Sequence, residues 1–160
     1  MGRAAARPSP SWNQPLPDPG RVDFYVLTGP QTTARLAFVC RLAEKAYRLD
    51  HRVHVQAGSP AQAAELDDLL WTFRQGSFVP HEVMQPGQPV QARVTIGLDE
   101  PPEADVLINL TDHIPPFEGR FARVVEIVDE SADGRQLARE RYRGYQQLGR
   151  ETTTHRIGEP

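Results

Sequence analysis

Apolar residues recur along the first third of the chain with two spacings, one typical of strands and one typical of helices. Val22–Thr28 (VDFYVLT) is rich in β-branched and aromatic residues and predicts a first strand. After Gly29-Pro30, Thr32 or Thr33 offers an N-cap oxygen for a helix. The apolar residues of this helix follow a helical spacing, with charged side chains between them: Leu36, Val39, Cys40, Ala43, Ala46 and Tyr47.

A second strand and a second helix follow. Arg52–Gly58 (RVHVQAG) predicts the strand, and Ser59-Pro60 begins the helix, because serine is a favoured N-cap and proline a favoured first helical residue. This helix is predicted to end near Trp71. The region after it is irregular and rich in proline and glycine, with two candidate short strands, SFVPHEV and ARVTIGL.

The last part of the chain contains the most continuous apolar runs. Ala104–Leu110 and Arg123–Asp129 are nearly uninterrupted, as in strands that are covered on both faces. A closing helix is predicted over about Ser131–Leu148, and the final ETTTHRIGEP is predicted to be a short polar tail.

This order of elements predicts a single α/β domain with a mainly parallel central sheet and helices on both faces. The architecture is Rossmann-like but lacks a nucleotide motif. Residues 22–157 are assigned to the domain and 158–160 to a tail. Residues 1–21, which hold five prolines, are assigned to a disordered Pro-rich leader.

The composition of the chain limits the classes of function and the cellular location that we expect for the protein. The formal net charge is -3 and the pI is near 5.9, whereas general nucleic-acid binders tend to have a pI above about 9. The single cysteine, Cys40, excludes an intramolecular disulfide and fits a reducing cytosol. No apolar run reaches the roughly 18 residues of a membrane span. We therefore expect a cytoplasmic protein with no membrane association.

The motifs of common catalytic and cofactor sites are missing from the sequence. TGPQTT, after the first strand, matches neither GxGxxG nor GxxxxGK[ST]. The five histidines have neither HExxH spacing nor cysteine partners, and no GxSxG precedes Asp112-His113. We therefore expect no catalytic residue, no metal and no cofactor, and we predict a binding module.

The closing helix contains an unusual density of arginine, in GRQLARERYRGYQQLGR. Arg135, Arg139 and Arg143 are spaced i, i+4, i+8 and share one helix face, which Tyr142 borders. Arg141 is predicted to lie on the solvated flank. Three interpretations remain open: a solvated helix face, phosphate contacts to nucleic acid, or a docking site for an acidic peptide or its C-terminal carboxylate.

Aromatic residues after the second helix suggest another surface. Trp71 lies off the main apolar stripe, and Phe78 and Pro80 follow it in a loop. These residues either close the edge of the core or form an exposed patch for a partner protein.

Four segments occur together in this order: VDFYVL, LDDLLWTF-x3-SFVPH, DVLINL and RQLARERYRGY. On these segments the chain resembles the chi subunit family of bacterial DNA polymerase III, from about Val22 to Ile157. The resemblance implies a subunit of the DNA polymerase III holoenzyme without catalytic activity of its own. Such a subunit links the clamp loader to single-stranded-DNA-binding protein during DNA replication, and therefore contacts DNA only indirectly.

The resemblance also implies two sets of binding residues. The acidic C-terminal tail of single-stranded-DNA-binding protein, which ends in proline and phenylalanine, would be bound by Arg135, Arg139, Tyr142, Arg143 and Val128. The psi subunit of the clamp loader, or a helicase-like partner, would be bound by Trp71, Phe78 and Pro80. The alternative function is direct nucleic-acid binding through the basic last helix.

Overall fold

The computed structural model describes residues 20–28, 32–102, 104–129 and 131–157. The side chains at positions 32–34 are also outside what is described. The predicted leader at residues 1–21 lies outside the described residues except for Gly20 and Arg21, and Arg21 begins the first strand. The N-cap at Thr32 or Thr33 and the tail at 158–160 also remain predictions.

The described residues form seven strands and three α-helices. The strands are β1 (Arg21–Leu27), β2 (Val53–Gln56), β3 (His81–Val83), β4 (Val94–Gly97), β5 (Val106–Asn109), β6 (Arg123–Val128) and β7 (Glu151–Ile157). The helices are α1 (Thr32–Arg48), α2 (Pro60–Thr72) and α3 (Ala132–Gln147), with a short 3-10 helix at Glu118–Arg120. The predicted cap of α2 is confirmed, because the Ser59 side chain accepts a hydrogen bond from the Gln62 amide.

The strands form one parallel sheet in the order β3-β4-β2-β5-β6-β1-β7. From β1 the chain crosses by α1 towards β2, whereas from β6 it crosses by α3 in the opposite direction to β7. Because parallel crossovers are right-handed, this reversal places α3 on the other face of the sheet from α1 and α2. The predicted α/β fold is confirmed.

The sheet is apolar on both faces, which explains the uninterrupted apolar runs. Alternate residues of one strand contact different helices. Tyr25 and Ile127 belong to the cluster beneath α1 and α2, while Phe24, Leu107 and Val128 belong to the cluster beneath α3. Cys40 is fully buried in the first cluster, as predicted, and burial raises the pKa of its thiol to about 12.

The prediction of a polar tail after α3 is wrong, because Glu151–Ile157 forms β7 at the edge of the sheet. Its side chains are exposed or half-buried, as expected for an edge strand, so no apolar run reveals it. His155 fixes the strand, since its Nε2 lies 3.0 Å from Asp23 Oδ1 and its ring stacks on Tyr25. Three consecutive threonines were the available signal, because β-branched residues favour strands.

Candidate functional site

The start of α3 is fixed by a local hydrogen-bonded turn. The Ser131 hydroxyl donates to Asp129 Oδ1 at 2.7 Å and accepts from the Gly134 amide at 2.9 Å. A Cβ at Gly134 would lie 2.6 Å from Asp129 Oδ1, so only glycine fits here without a shift of that carboxylate. This turn sets the direction in which α3 leaves β6.

A buried carboxylate holds the underside of α3 against the sheet. Glu126 on β6 is fully buried and accepts three hydrogen bonds. The donors are Arg141 Nε at 2.9 Å, the Tyr145 hydroxyl at 2.6 Å and Asn109 Nδ2 at 2.9 Å. Burial raises the pKa of the Glu126 carboxyl, while these three donors and the charge of Arg141 oppose the shift. The network fixes the rotation of α3 about its own axis.

Two arginines of the basic stretch are therefore structural. The prediction that Arg141 lies on a solvated flank is wrong: its side chain is buried and its Nη1 also donates to the Asp112 carbonyl at 3.3 Å. Arg150 is buried too, and it forms an ion pair with Glu118 and donates to the Phe121 carbonyl at 2.7 Å. Neither side chain is available to a partner in this arrangement.

The opposite edge of α3 borders an open cleft of about 320 Å³ above β6, β1 and β7. The described residues that line it come from four elements: Phe24, Val26, Val128, Arg135, Ala138, Arg139, Tyr142, Thr154 and Arg156. Val128, Val26 and Arg156 occupy one row across three neighbouring strands. Phe24 and Thr154 belong to the next row towards the amino ends of the strands.

The cleft combines an apolar floor with a positively charged rim. Phe24 and Tyr142 contact each other with ring centroids 5.3 Å apart and tilted planes, and Val26, Val128 and Ala138 add aliphatic surface. Among the residues that the structure describes, three arginines and no carboxylate line the cleft, although the chain as a whole is acidic. Such a cleft can bury an aromatic ring while guanidinium groups pair with carboxylates.

The structure brings together most of the residues predicted for this site. Arg135, Arg139, Tyr142 and Val128 all line the cleft. Arg143 does not, because it lies about 40° further round the helix than Arg139, away from the sheet, and is exposed.

Four lining residues were missed from the sequence: Phe24, Val26, Thr154 and Arg156. The strand alternation of β1 could have indicated the first two. The others required β7 to be identified as a strand.

The predicted aromatic surface is exposed. Trp71 is 50% exposed and Phe78 65% exposed, and their ring centroids are 5.6 Å apart. The Trp71 ring also packs on His81 at 4.5 Å, and His81 is held by the Val79 carbonyl and by Asp67. Pro80, which precedes His81 in the chain, is half-buried. Exposure of two large rings favours the partner patch over the edge of the core.

The carboxyl edge of the sheet, where α/β sheets commonly hold a ligand, contains an arginine at the ends of β5 and β6. Arg35 Nε donates to the Ile127 carbonyl and its Nη2 to the Leu110 carbonyl, each at 3.3 Å. Burial lowers the pKa of this guanidinium.

Within the described residues, no group of three or more His, Cys, Asp or Glu side chains could hold a metal, and no helix is long and apolar enough to cross a membrane.

A family model and three related proteins all point to the same protein family. Residues 20–153 match the family model described as DNA polymerase III chi subunit, HolC. The DNA polymerase III subunit chi of Pseudomonas aeruginosa is 43% identical over 139 residues, covering 86% of this chain and 96% of that protein. The subunit chi of Escherichia coli is 33% identical over 133 residues, covering 79% and 90%, and that of Haemophilus influenzae is 32% identical over 139 residues, covering 84% and 96%.

A solved structure supports the fold alone. The crystal structure of T4 UvsW superposes with a TM-score of 0.61 at 9% sequence identity. The match covers 86% of this chain and 41% of that one. At this identity the likeness concerns the α/β architecture.

Proposed function

Because this chain belongs to the DNA polymerase III chi subunit family, we propose that it is a non-catalytic adaptor of the replicase that binds the C-terminal tail of single-stranded-DNA-binding protein. Family membership makes it an accessory subunit of DNA polymerase III. The finer proposal is that its cleft receives the acidic tail, so that the protein contacts DNA through a protein that itself holds DNA. The cytoplasm is the proposed place of action.

The cleft beside α3 is the observation that supports this function. A terminal phenylalanine ring would enter the apolar floor between Phe24 and Tyr142. Its free carboxylate would pair with Arg139, which is exposed and donates a 3.3 Å hydrogen bond to the Gln136 side chain. Arginine matches a carboxylate with two parallel hydrogen bonds. The ligand class that fits is therefore a peptide with a free C-terminal aromatic residue.

Calorimetric titration of the tail peptide tests the proposal. Arg139→Ala should weaken binding by about 2–5 kcal/mol if the pair becomes buried in the complex, and by less if the pair stays exposed. Removing the terminal phenylalanine from the peptide should abolish most of the remaining affinity.

Arg52→Ala is the matched control for this titration. Arg52 is exposed, lies between α1 and β2, and is distant in the fold from the cleft. Equal affinity of the full and shortened peptides for the wild type and Arg139→Ala would refute the assignment.

A second binding function is proposed for the exposed aromatic surface. Trp71, Phe78 and Pro80 would bind the psi subunit of the clamp loader or a helicase-like partner. The paired, half-exposed rings of Trp71 and Phe78 support this, because aromatic side chains in the centre of an interface contribute much of its binding energy.

Direct nucleic-acid binding is the competing function, and the three arginines of the cleft are the observation that favours it. Phosphate contacts would make the affinity for single-stranded DNA fall steeply with salt concentration. We expect weak binding of bare single-stranded DNA at physiological salt. Tight binding under that condition, without the partner protein, would replace the adaptor function with this one.

A further inference from the structure

One wall of the cleft comes from β7. None of the tail-binding residues that the family resemblance implies lies on this strand. Thr154 and Arg156 are exposed and point into the cleft from the edge strand. Arg156 pairs in register with Val26, which in turn pairs with Val128. The arginine therefore extends the apolar row of the floor by one strand, at the open side of the cleft.

Helix and strand geometry place Arg156 opposite the two arginines of α3. Tyr142 contacts Phe24, and Phe24 pairs in register with Thr154. Measured along the strand direction, Tyr142 therefore lies at about the same height as Thr154. Along α3, which runs back from the carboxyl end of β6, Arg139 lies about 4.5 Å and Arg135 about 10.5 Å from Tyr142. The row of Arg156 lies about 6.6 Å from that of Thr154. Measured along the strand direction, Arg156 therefore lies between Arg139 and Arg135.

The side chain of Arg156 makes no hydrogen bond or ion pair with any residue that the structure describes. A structural arginine would be paired, as Arg141 and Arg150 are. Instead three guanidinium groups line one cleft, and none of the described residues that line it is acidic. An arrangement of like charges with an apolar floor is complementary to a ligand that carries more than one negative charge.

The exit from the cleft determines which part of a peptide meets Arg156. α3 closes one side of the cleft, and β7 is the last strand of the sheet on the other. A peptide whose terminal residue lies between Phe24 and Tyr142 has an open path over β7. On this path the residues upstream of the terminal one would pass Arg156, whereas the terminal carboxylate would pair with Arg139.

We propose that Arg156 on β7 is a specificity-determining residue of this cleft, which pairs with an acidic side chain upstream of the C-terminus of the bound peptide. This inference rests on the proposed tail-binding function. Arg139 recognises the chain terminus, and Arg156 recognises the acidic character of the segment before it. The cleft thereby distinguishes an acidic tail from a neutral tail with the same terminal phenylalanine.

A peptide-by-variant cycle on the full chain tests this division of roles. The probes are a synthetic acidic peptide that ends in free phenylalanine and the same peptide with its acidic side chains replaced by amides. Arg156→Gln should weaken the acidic peptide about five-fold, the size expected for one partly exposed charge pair, and should leave the neutral peptide nearly unchanged. Arg156→Lys should keep most of the affinity for the acidic peptide, and Arg52→Gln should keep all of it.

The possible outcomes distinguish a failure of this inference from a failure of the proposed tail-binding function. If the wild type binds the acidic peptide and Arg156→Gln binds it equally well, Arg156 has no part in recognition and the inference is overturned alone. If Arg156→Gln weakens both peptides equally, the side chain acts on the shape of the cleft and the charge pairing is overturned. If the wild type binds neither peptide, the tail-binding function itself fails.

Discussion

Removing Arg141 tests whether the basic stretch contains a structural arginine. Arg141→Met keeps much of the side-chain length but removes the guanidinium that contacts Glu126, which is fully buried. Breaking a buried ion pair from one side costs about 3–5 kcal/mol, because a charge is left in a medium that solvates it poorly. Tyr145 and Asn109 still donate to the carboxylate, so we expect the lower half of that range.

Urea denaturation measures this cost as a change in the free energy of unfolding. A loss of about 3 kcal/mol is a large fraction of the roughly 5–15 kcal/mol that holds a typical domain folded. Arg143→Met is the matched control, since Arg143 is on the same helix but exposed, and it should change stability by less than about 0.5 kcal/mol. Equal costs for the two variants would refute a structural role for Arg141.

Two further measurements identify the buried charge as the cause. Glu126→Gln combined with Arg141→Met should be more stable than Arg141→Met alone, because no charge then remains buried and the amide oxygen still accepts a hydrogen bond. Burial raises the pKa of Glu126, and the loss of Arg141 raises it further. A raised carboxyl pKa gives stability that is present below the unfolded value, near 4.5, and is lost as the pH rises above it. The deficit of Arg141→Met should therefore be larger at pH 8 than at pH 5.

Two other predictions concern His54 and Phe78. Burial lowers the pKa of His54 to about 4 from 6.5, so the unfolded chain binds the proton first, and stability should fall by about 1.4 kcal/mol per pH unit from pH 6.5 towards pH 4. His54→Gln should flatten this slope in urea titrations at stepped pH, and an unchanged slope would assign it to other groups. Phe78→Ala should change the free energy of unfolding by less than about 1 kcal/mol, because the ring is mostly exposed, yet it should weaken binding of purified psi subunit about ten-fold or more. Unchanged complex formation would remove Phe78 from the partner surface.

The fold was predictable because the sheet is buried on both faces. Strands such as β5 and β6 then appear as continuous apolar runs, and their order with the helices limits the topology. β7 was not predictable in the same way, since an edge strand with exposed side chains has no apolar run. Its position beside β1 is set by the crossover through α3, which is a property of the folded chain.

The charged face of α3 was predictable in outline but not in the role of each arginine. Helical spacing correctly separated Arg139 from the buried side. The same spacing places Arg141 within about 60° of Ala138 and Tyr145, which are both buried. That signal was overridden by the charge of the side chain, because an arginine is normally assigned to solvent unless a buried partner is known. The partner, Glu126, lies on a different element.

The position of β1 between β6 and β7 has a consequence for the order in which the chain folds. β1 is translated before every other strand, yet both of its neighbours, β6 and β7, come from the far end of the described chain. Until they emerge, β1 presents two unpaired edges of an apolar strand, which is a risk for aggregation in a nascent chain. Contacts so distant in sequence also slow folding, because the long loop must close before any pairing stabilises it. We therefore expect this domain to fold late in its own synthesis and slowly for its size.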